Sequence, residues 1–130
     1  TQDAALDLGD SSICETTGIG GFAMAAAPAI VRFVGGNTED AYEYSREMRK
    51  ITITRNNNYA IPSLDFSGTA TGIDLLLVLE KGIEPIINTG IAHKKAGVGQ
   101  IGAGIVRAPM AAFIDAFKAF VSSYYDQKGE

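Results

Sequence analysis

The first residues that could carry chemistry are the run Glu15-Thr16-Thr17-Gly18-Ile19-Gly20-Gly21. It precedes a predicted helix, and the free backbone amides at a helix N-terminus attract anions. Glycine lets a ligand approach the backbone, a threonine hydroxyl can donate a hydrogen bond, and Glu15 can act as a catalytic base. The predicted substrate-binding residues of this turn are Thr17, Gly18, Gly20 and Gly21. The alternative is a tight turn whose small residues serve packing alone.

The second group is the run Asn88-Thr89-Gly90-Ile91-Ala92-His93-Lys94-Lys95. His93 is the only histidine of the chain, and we predict it as a catalytic general acid or base. Asn88, Thr89 and Lys94 are predicted to bind the substrate, with a lysine holding an anionic group. These residues lie at the carboxyl end of a predicted strand, and ligands of α/β proteins bind beyond the carboxyl ends of strands. The alternative is a solvated basic loop with an incidental histidine.

Other chemistry finds less support in the sequence. One histidine and one cysteine give no ligand set for zinc, so we expect no metal site. Cys14 lacks an activating cation nearby and is predicted to be a small buried residue. Asp65 and Asp74 are predicted to be helix-cap or turn acceptors rather than substrate ligands.

Two glycine patterns imitate the dinucleotide-binding fingerprint, at residues 18–23 and 97–102. The first lacks an acidic residue at the end of a second strand, because Glu39 and Asp40 open a helix instead. The second leaves no room for the long helix that the fingerprint demands, since Pro109 follows soon after. A nucleotide-linked oxidoreductase is therefore the weakest interpretation, and we expect no cofactor.

Composition limits the class of protein. The 130 residues suit a single domain, and 46% hydrophobic residues allow a core to form. The net charge of −4 comes without a basic stripe, which argues against nucleic-acid binding. No apolar run reaches the roughly 18 residues that cross a bilayer, so we expect no membrane partner. A single cysteine suits a reducing compartment, and we predict a cytoplasmic protein.

Hydrophobic spacing and helix caps predict an α/β fold of short strands alternating with helices, with glycine-rich turns and a C-terminal amphipathic helix. Pro28 is expected to kink or split its helix, and Thr38 to cap the next one. We expect a polar turn at residues 56–58, a flexible loop at 67–72 and a loop at 93–99. The predicted strands are at residues 11–15, 59–61, 84–92 and 101–106, and the predicted helices are at 22–34, 39–50, 74–81 and from Pro109 onward.

Three segments together resemble the YlbE/AllG-like family, long catalogued as a domain of unknown function. The likeness covers most of residues 7–122, and members of the family are much longer. The resemblance therefore implies that this chain is the C-terminal portion of a longer protein. The three segments are Glu15-Thr16-Thr17-Gly18-Ile19-Gly20-Gly21-Phe22-Ala23-Met24-Ala25-Ala26-Ala27-Pro28, Gly72-Ile73-Asp74, and the stretch from Ile87 through Asn88-Thr89-Gly90-Ile91-Ala92-His93-Lys94 to Gly97-Val98-Gly99-Gln100-Ile101-Gly102-Ala103-Gly104.

The resemblance implies a subunit of an oxamate carbamoyltransferase system in anaerobic allantoin and purine catabolism. That reaction converts oxalurate and phosphate to oxamate and carbamoyl phosphate. The implied partners are an FdrA-like subunit, a further subunit and a small anionic substrate, and we expect a homo-oligomer. The resemblance assigns no residue roles, so the site residues above rest on their chemistry alone. The rival interpretation is a non-catalytic assembly subunit of a catabolic complex.

We expect the glycine turn at residues 18–21 and the loop from Asn88 to Lys94 to converge on one anion pocket. Carbamoyl transfer passes through a tetrahedral oxyanion, which backbone amides can stabilise. His93 would then transfer the proton.

Overall fold

The computed structural model describes residues 2–6, 13–33 and 35–126. In these ranges it combines helices with two antiparallel two-stranded sheets, which confirms the predicted α/β class. The helices and strands in chain order are α1 Ile13–Thr17, α2 Pro28–Phe33, α3 Thr38–Met48, β1 Thr52–Ile61, β2 Ser67–Ile73, α4 Leu75–Lys81, β3 Ile86–Ala92, β4 Gln100–Arg107 and α5 Met110–Asp126. Short 3-10 helices lie at Gly20–Ala26, Arg49–Ile51 and Pro62–Leu64.

The two best-capped helices form as the sequence predicts. α3 begins with a capping box. The Asn37 side chain accepts a hydrogen bond from the Asp40 N–H, and the Asp40 carboxylate accepts one from the Asn37 N–H. The cap is therefore Asn37 and not Thr38, one residue earlier than predicted. α4 has Asp74 as its N-cap and Gly82 in the left-handed conformation at its end. The predicted capping role of Asp74 is confirmed.

The hairpin of β1 and β2 corrects two predictions. Residues 67–72 were expected to be a flexible loop, but they lie in β2, where Gly68, Thr69 and Ala70 are buried. Residues 56–58 were expected to be a turn, but they lie within β1. The pairing shifts register between Asn56 and Ala60, so the polar residues form an irregularity inside a long strand. Cross-strand pairing overrides a composition that is typical of loops.

The hairpin of β3 and β4 confirms the predicted strands near residues 84–92 and 101–106 and the loop between them. The two strands are antiparallel and pair from Ile86 with Arg107 to Ala92 with Gln100. An antiparallel hairpin has no common carboxyl edge, so the crevice argument made for parallel sheets does not apply here. The rule for parallel sheets therefore gives no support to a ligand site at Asn88 to Lys94, and such a site must be argued from the contacts of these residues.

The N-terminal half contains further corrections. The predicted strand at residues 11–15 is instead helix α1 from Ile13, while residues 11 and 12 lie outside the described ranges. In place of the predicted helix 22–34 the structure has a 3-10 helix followed by α2. The helical conformation is interrupted at Ala27, immediately before Pro28. That break confirms the expected interruption at this proline. Cys14, predicted to be buried, is exposed.

The core lies between the helices and the two hairpins. Its main cluster is Phe22, Met48, Ile51, Ala70, Val78 and Ile86. Helix α5 has the predicted amphipathic spacing, and its first turns pack on this cluster through Met110 and Phe113. The rest of α5 leaves large apolar side chains exposed, with Phe120 62% and Tyr125 69% accessible. None of the helices in the described residues is both long enough and apolar enough to cross a membrane.

Candidate functional site

The carboxylate of Glu15 lies at the centre of the first predicted site. Glu15 is 1% exposed, and its Oε1 accepts hydrogen bonds from the backbone N–H groups of Gly21 at 3.1 Å and Asn88 at 3.2 Å. Glu15 thus joins the glycine turn to strand β3. Its Oε2 atom is buried and finds no hydrogen-bond partner among the described residues. These contacts make Glu15 a positioning residue for Asn88, and its role as a catalytic base stays a prediction.

The glycines of the turn are pressed against neighbouring elements. Gly20 has φ +64°, and a Cβ there would overlap the Glu15 carboxylate. A Cβ on Gly21 would overlap the backbone carbonyl of Ile86 in β3. Gly18 is buried, and a Cβ there would overlap the Thr69 hydroxyl of β2. Small residues are therefore required for close packing at this turn, whatever it binds.

Thr17 lies beside this packed turn on the exposed side. Its hydroxyl donates to the backbone carbonyl of Cys14 at 2.8 Å, and its own carbonyl accepts from the Asn56 side chain at 2.8 Å. Both groups are therefore engaged within the protein. The predicted binding roles of Thr17 and the three glycines are not tested by these contacts and stay predictions.

Asn88 and Thr89, both predicted from the sequence, line a cavity of about 440 Å³ between α2 and the β3–β4 hairpin. A volume of this size is typical of small-molecule sites. The Asn88 backbone N–H is bonded to Glu15, and Asn88 is also one of the residues that line the cavity. The remaining lining residues are Ala29, Ile30, Gly90, Gln100 and Ala103. We call this space the hairpin cavity.

A second space continues along the same hairpin. Its volume is about 450 Å³, and it shares Ala103 with the hairpin cavity. Its polar lining includes Tyr44 and Arg107, and the Arg107 guanidinium pairs with Glu47 at 2.7 Å. The Arg107 charge next to the hairpin cavity is therefore compensated by Glu47, and the residues that line the hairpin cavity are uncharged at neutral pH.

His93 and Lys94 lie at the other end of β3 from Glu15. Four residues of strand, about 13 Å, separate Asn88 from Ala92, and His93 follows. The His93 backbone N–H donates to Gly99 at 2.9 Å, next to Gln100 of the hairpin cavity. Its Nδ1 accepts from the Lys95 N–H at 2.9 Å. His93 thus lies beside the outer end of the cavity without lining it.

Lys94 is occupied by the N-terminal segment. Its ammonium group donates to the Gln2 carbonyl at 2.6 Å and pairs with Asp3 at 3.2 Å. The Lys94 backbone N–H also donates to the Asp3 carbonyl, and Ala4 forms an isolated antiparallel β-bridge with His93. The structure therefore brings Glu15, Gly21 and Asn88 together but holds Lys94 away from them. Substrate binding by Lys94 stays a prediction.

The hairpin cavity suits a small uncharged or amide-bearing group. Asn88 and Gln100 carry side-chain amides, a group whose donors and acceptor match an amide or ureido group. The Gln100 Nε2 already donates to the Gly102 carbonyl at 2.7 Å, which engages one of its two N–H groups. Within the described ranges no cluster of three or more His, Cys, Asp or Glu side chains is arranged to hold a metal ion. Sequence reasoning missed Gln100, although its place opposite Ala92 follows from the antiparallel pairing of the two strands.

Comparison with known proteins gives the chain its relatives. It is 55% identical over 123 residues to the uncharacterized protein YahG and, again over 123 residues, to the oxamate carbamoyltransferase subunit AllG, both of Escherichia coli K12. These matches cover 95% and 94% of this chain but only 26% of YahG and 29% of AllG. No family model matches the chain.

A solved structure gives the same result for the fold. A crystal structure of a conserved protein of unknown function from Enterococcus faecalis V583 superposes with a TM-score of 0.85 at 58% identity. The match covers 93% of this chain and 29% of that one. The chain thus spans less than a third of the length of each of these relatives. Over the segment that it spans, the chain is a close homologue of YahG and AllG, which agrees with the resemblance drawn from its sequence.

Proposed function

We propose that this chain is part of a subunit of an oxamate carbamoyltransferase-like enzyme of anaerobic allantoin and purine catabolism. The reaction is the conversion of oxalurate and phosphate to oxamate and carbamoyl phosphate. The observation that carries the proposal is the 55% identity with the AllG subunit across 94% of this chain. Identity at that level supports the same local fold and the same cavity walls in both proteins.

The hairpin cavity supports a binding role within that enzyme. Oxamate and oxalurate are small molecules that carry an amide or ureido group beside a carboxylate. The amides of Asn88 and Gln100 would bind the amide or ureido end. Arg107, in the adjoining space, would attract the carboxylate. Ala29 and Ile30, both partly open to solvent, form the apolar wall against which the substrate would pack.

The proposed reaction is a phosphorolysis that breaks a C–N bond of oxalurate. A phosphate oxygen attacks the ureido carbonyl of oxalurate and forms the new C–O bond of carbamoyl phosphate. The C–N bond to the oxamate nitrogen then breaks, and that nitrogen takes up the proton that the attacking phosphate gives up. His93, beside the outer end of the hairpin cavity, would carry this proton from the phosphate to the nitrogen. Backbone N–H groups would stabilise the oxyanion between the two steps.

The proposal includes partners, because AllG is named as a subunit. We propose an FdrA-like subunit, a further subunit, self-association and a cytoplasmic location. The exposed apolar side chains of α5 support an assembly surface, since apolar patches of this kind mark interaction sites. Phe120 and Tyr125 are two of these exposed side chains.

A second candidate function is non-catalytic assembly. It is favoured by the packing of Gly18 and Gly21. Because glycine has no side chain, these residues can pack closely against β2 and β3. In this case the glycine turn serves only the fold, and the α5 surface carries the function. The two candidates differ in whether the hairpin cavity binds substrate.

Substrate titration of the assembled complex tests the proposal. The complete protein is assembled with its partner subunits, and oxamate is titrated by calorimetry. Replacing Asn88 by alanine removes one amide from the cavity and keeps the backbone bond to Glu15. We expect at least tenfold weaker oxamate binding for Asn88→Ala and unchanged binding for Asn57→Ala, an exposed asparagine of β1. Equal oxamate affinity of the Asn88 variant and the parent complex would favour the assembly function.

A further inference from the structure

A small cavity with two arginines lies on the other hairpin, where α3 gives way to β1. Its volume is about 140 Å³, and its lining residues are Arg49, Thr52, Ile53, Thr54 and Arg55. None of these residues lines the hairpin cavity or the space beside it. We call this space the arginine cavity.

Arg49 is fixed in place by strand β2. Its Nη2 donates to the Ser67 hydroxyl and to the Gly68 carbonyl. The Ser67 hydroxyl in turn donates to the Leu64 carbonyl at 2.7 Å, which holds the acceptor still. The Nε atom of Arg49 is buried and has no hydrogen-bond partner among the described residues.

The charges around Arg49 are of one sign. Burial lowers the pKa of the Arg49 guanidinium, and repulsion from Arg55 and Arg46 lowers it further. Arg46 is itself neutralised by ion pairs with Glu39 and Glu43. Within the part of the chain that the structure describes, neither Arg49 nor Arg55 forms an ion pair with a carboxylate. The chain thus keeps an uncompensated pair of positive charges, although its net charge is −4.

The size of the cavity limits the ligand. At about 30 Å³ per water molecule in the liquid, the cavity holds four or five waters. Its 140 Å³ is well below the volume that a drug-sized ligand or a nucleotide occupies. A small anion with several acceptor oxygens fits both the volume and the donors, because guanidinium groups bind phosphate oxygens in pairs.

We propose that the arginine cavity binds a small tetrahedral oxyanion of the phosphate type, held by Arg49 and Arg55 with the Thr52 and Thr54 residues around it. This site does not depend on the carbamoyltransferase proposal, because different residues line it. Arg49 supplies the fixed donor and Arg55, which is exposed, supplies the charge that closes over the anion.

Phosphate binding to the complete protein tests the site. Inorganic phosphate is titrated at constant ionic strength against a chloride control, before and after replacing Arg55 by glutamine. We expect binding of phosphate in the parent, at least tenfold weaker binding in Arg55→Gln, and unchanged binding in Lys50→Gln. Lys50 is an exposed neighbour that loses the same charge without lining the cavity.

Two further measurements complete the test. Acetate, a planar monoanion, is expected to bind at least tenfold more weakly than phosphate. Circular dichroism of Arg55→Gln should match the parent, because Arg55 is exposed and its side chain is not needed for the fold. Absence of phosphate binding above chloride, or equal affinity of Arg55→Gln and the parent, would overturn the proposal.

Discussion

The carboxylate of Glu15 accepts a hydrogen bond from the backbone N–H of Asn88, 73 residues further along the chain. The same oxygen accepts from Gly21, so one side chain joins α1, the glycine turn and β3. The bond fixes the backbone of a residue that lines the hairpin cavity. A local sequence feature near the N-terminus thereby sets the position of a distant cavity wall.

Removing the Glu15 carboxylate should loosen both elements together. Glu15→Ala leaves the buried Gly21 N–H and the partly buried Asn88 N–H without their acceptor. This costs about 3 kcal/mol, and opening should become roughly a hundredfold easier. Hydrogen exchange of the Gly21 and Asn88 amides measures this directly. We expect both amides to exchange faster in the variant by about that factor.

Glu15→Gln is the matched control for that experiment. Glutamine keeps an oxygen that can accept both bonds and changes only the second atom of the group, which has no partner among the described residues. We therefore expect less than half of the effect of Glu15→Ala on exchange. Slow exchange of Asn88 in Glu15→Ala would show that the bond does not hold the strand.

Replacing His93 by asparagine should lower the turnover of the assembled complex at least tenfold. The asparagine oxygen can take the place of Nδ1 and accept the Lys95 N–H, so the loop keeps its hydrogen bond. Only the proton-donating ring is lost. Steady-state turnover of oxalurate measures the effect, with the thermal unfolding midpoint as the check on folding. An unchanged turnover would remove His93 from the mechanism.

The two halves of α5 should respond differently to the same substitution. Phe113 packs on the core, so Phe113→Ser should lower the free energy of unfolding by about 2 kcal/mol or more. Phe120 is 62% exposed, so Phe120→Ser should change it by less than about 0.5 kcal/mol. Thermal unfolding of the complete protein measures both effects. A similar loss for the two variants would mean that the complete protein buries Phe120.

Sequence reasoning succeeded where the signal is local. Asp74 and Gly82 flank α4 as N-cap and C-cap, and the apolar spacing of α5 needs no distant partner to be recognised. It failed where a distant strand supplies the structure. Residues 67–72 have the composition of a loop, yet they form β2 because β1 provides their hydrogen-bond partners.

The candidate site divides in the same way. Asn88 and Thr89 were predicted from their residue types and line the hairpin cavity. Gln100 was missed because its importance arises from pairing across the hairpin, and Ala29 and Ile30 carry no chemical signal in the sequence. The Glu15 bonds to Gly21 and Asn88 depend on a fold that residue type alone does not reveal. The catalytic and binding roles themselves stay predictions.

The contact between Gly20 and Glu15 restricts which substitutions these two positions can accept together. A side chain at position 20 would occupy the space of the Glu15 carboxylate, so a variant that gains one is expected to shorten residue 15 as well. That double change would deprive Asn88 of its acceptor. Positions 15 and 20 should therefore vary together across relatives, and a relative that has changed both would have lost the hydrogen bond that joins this turn to β3.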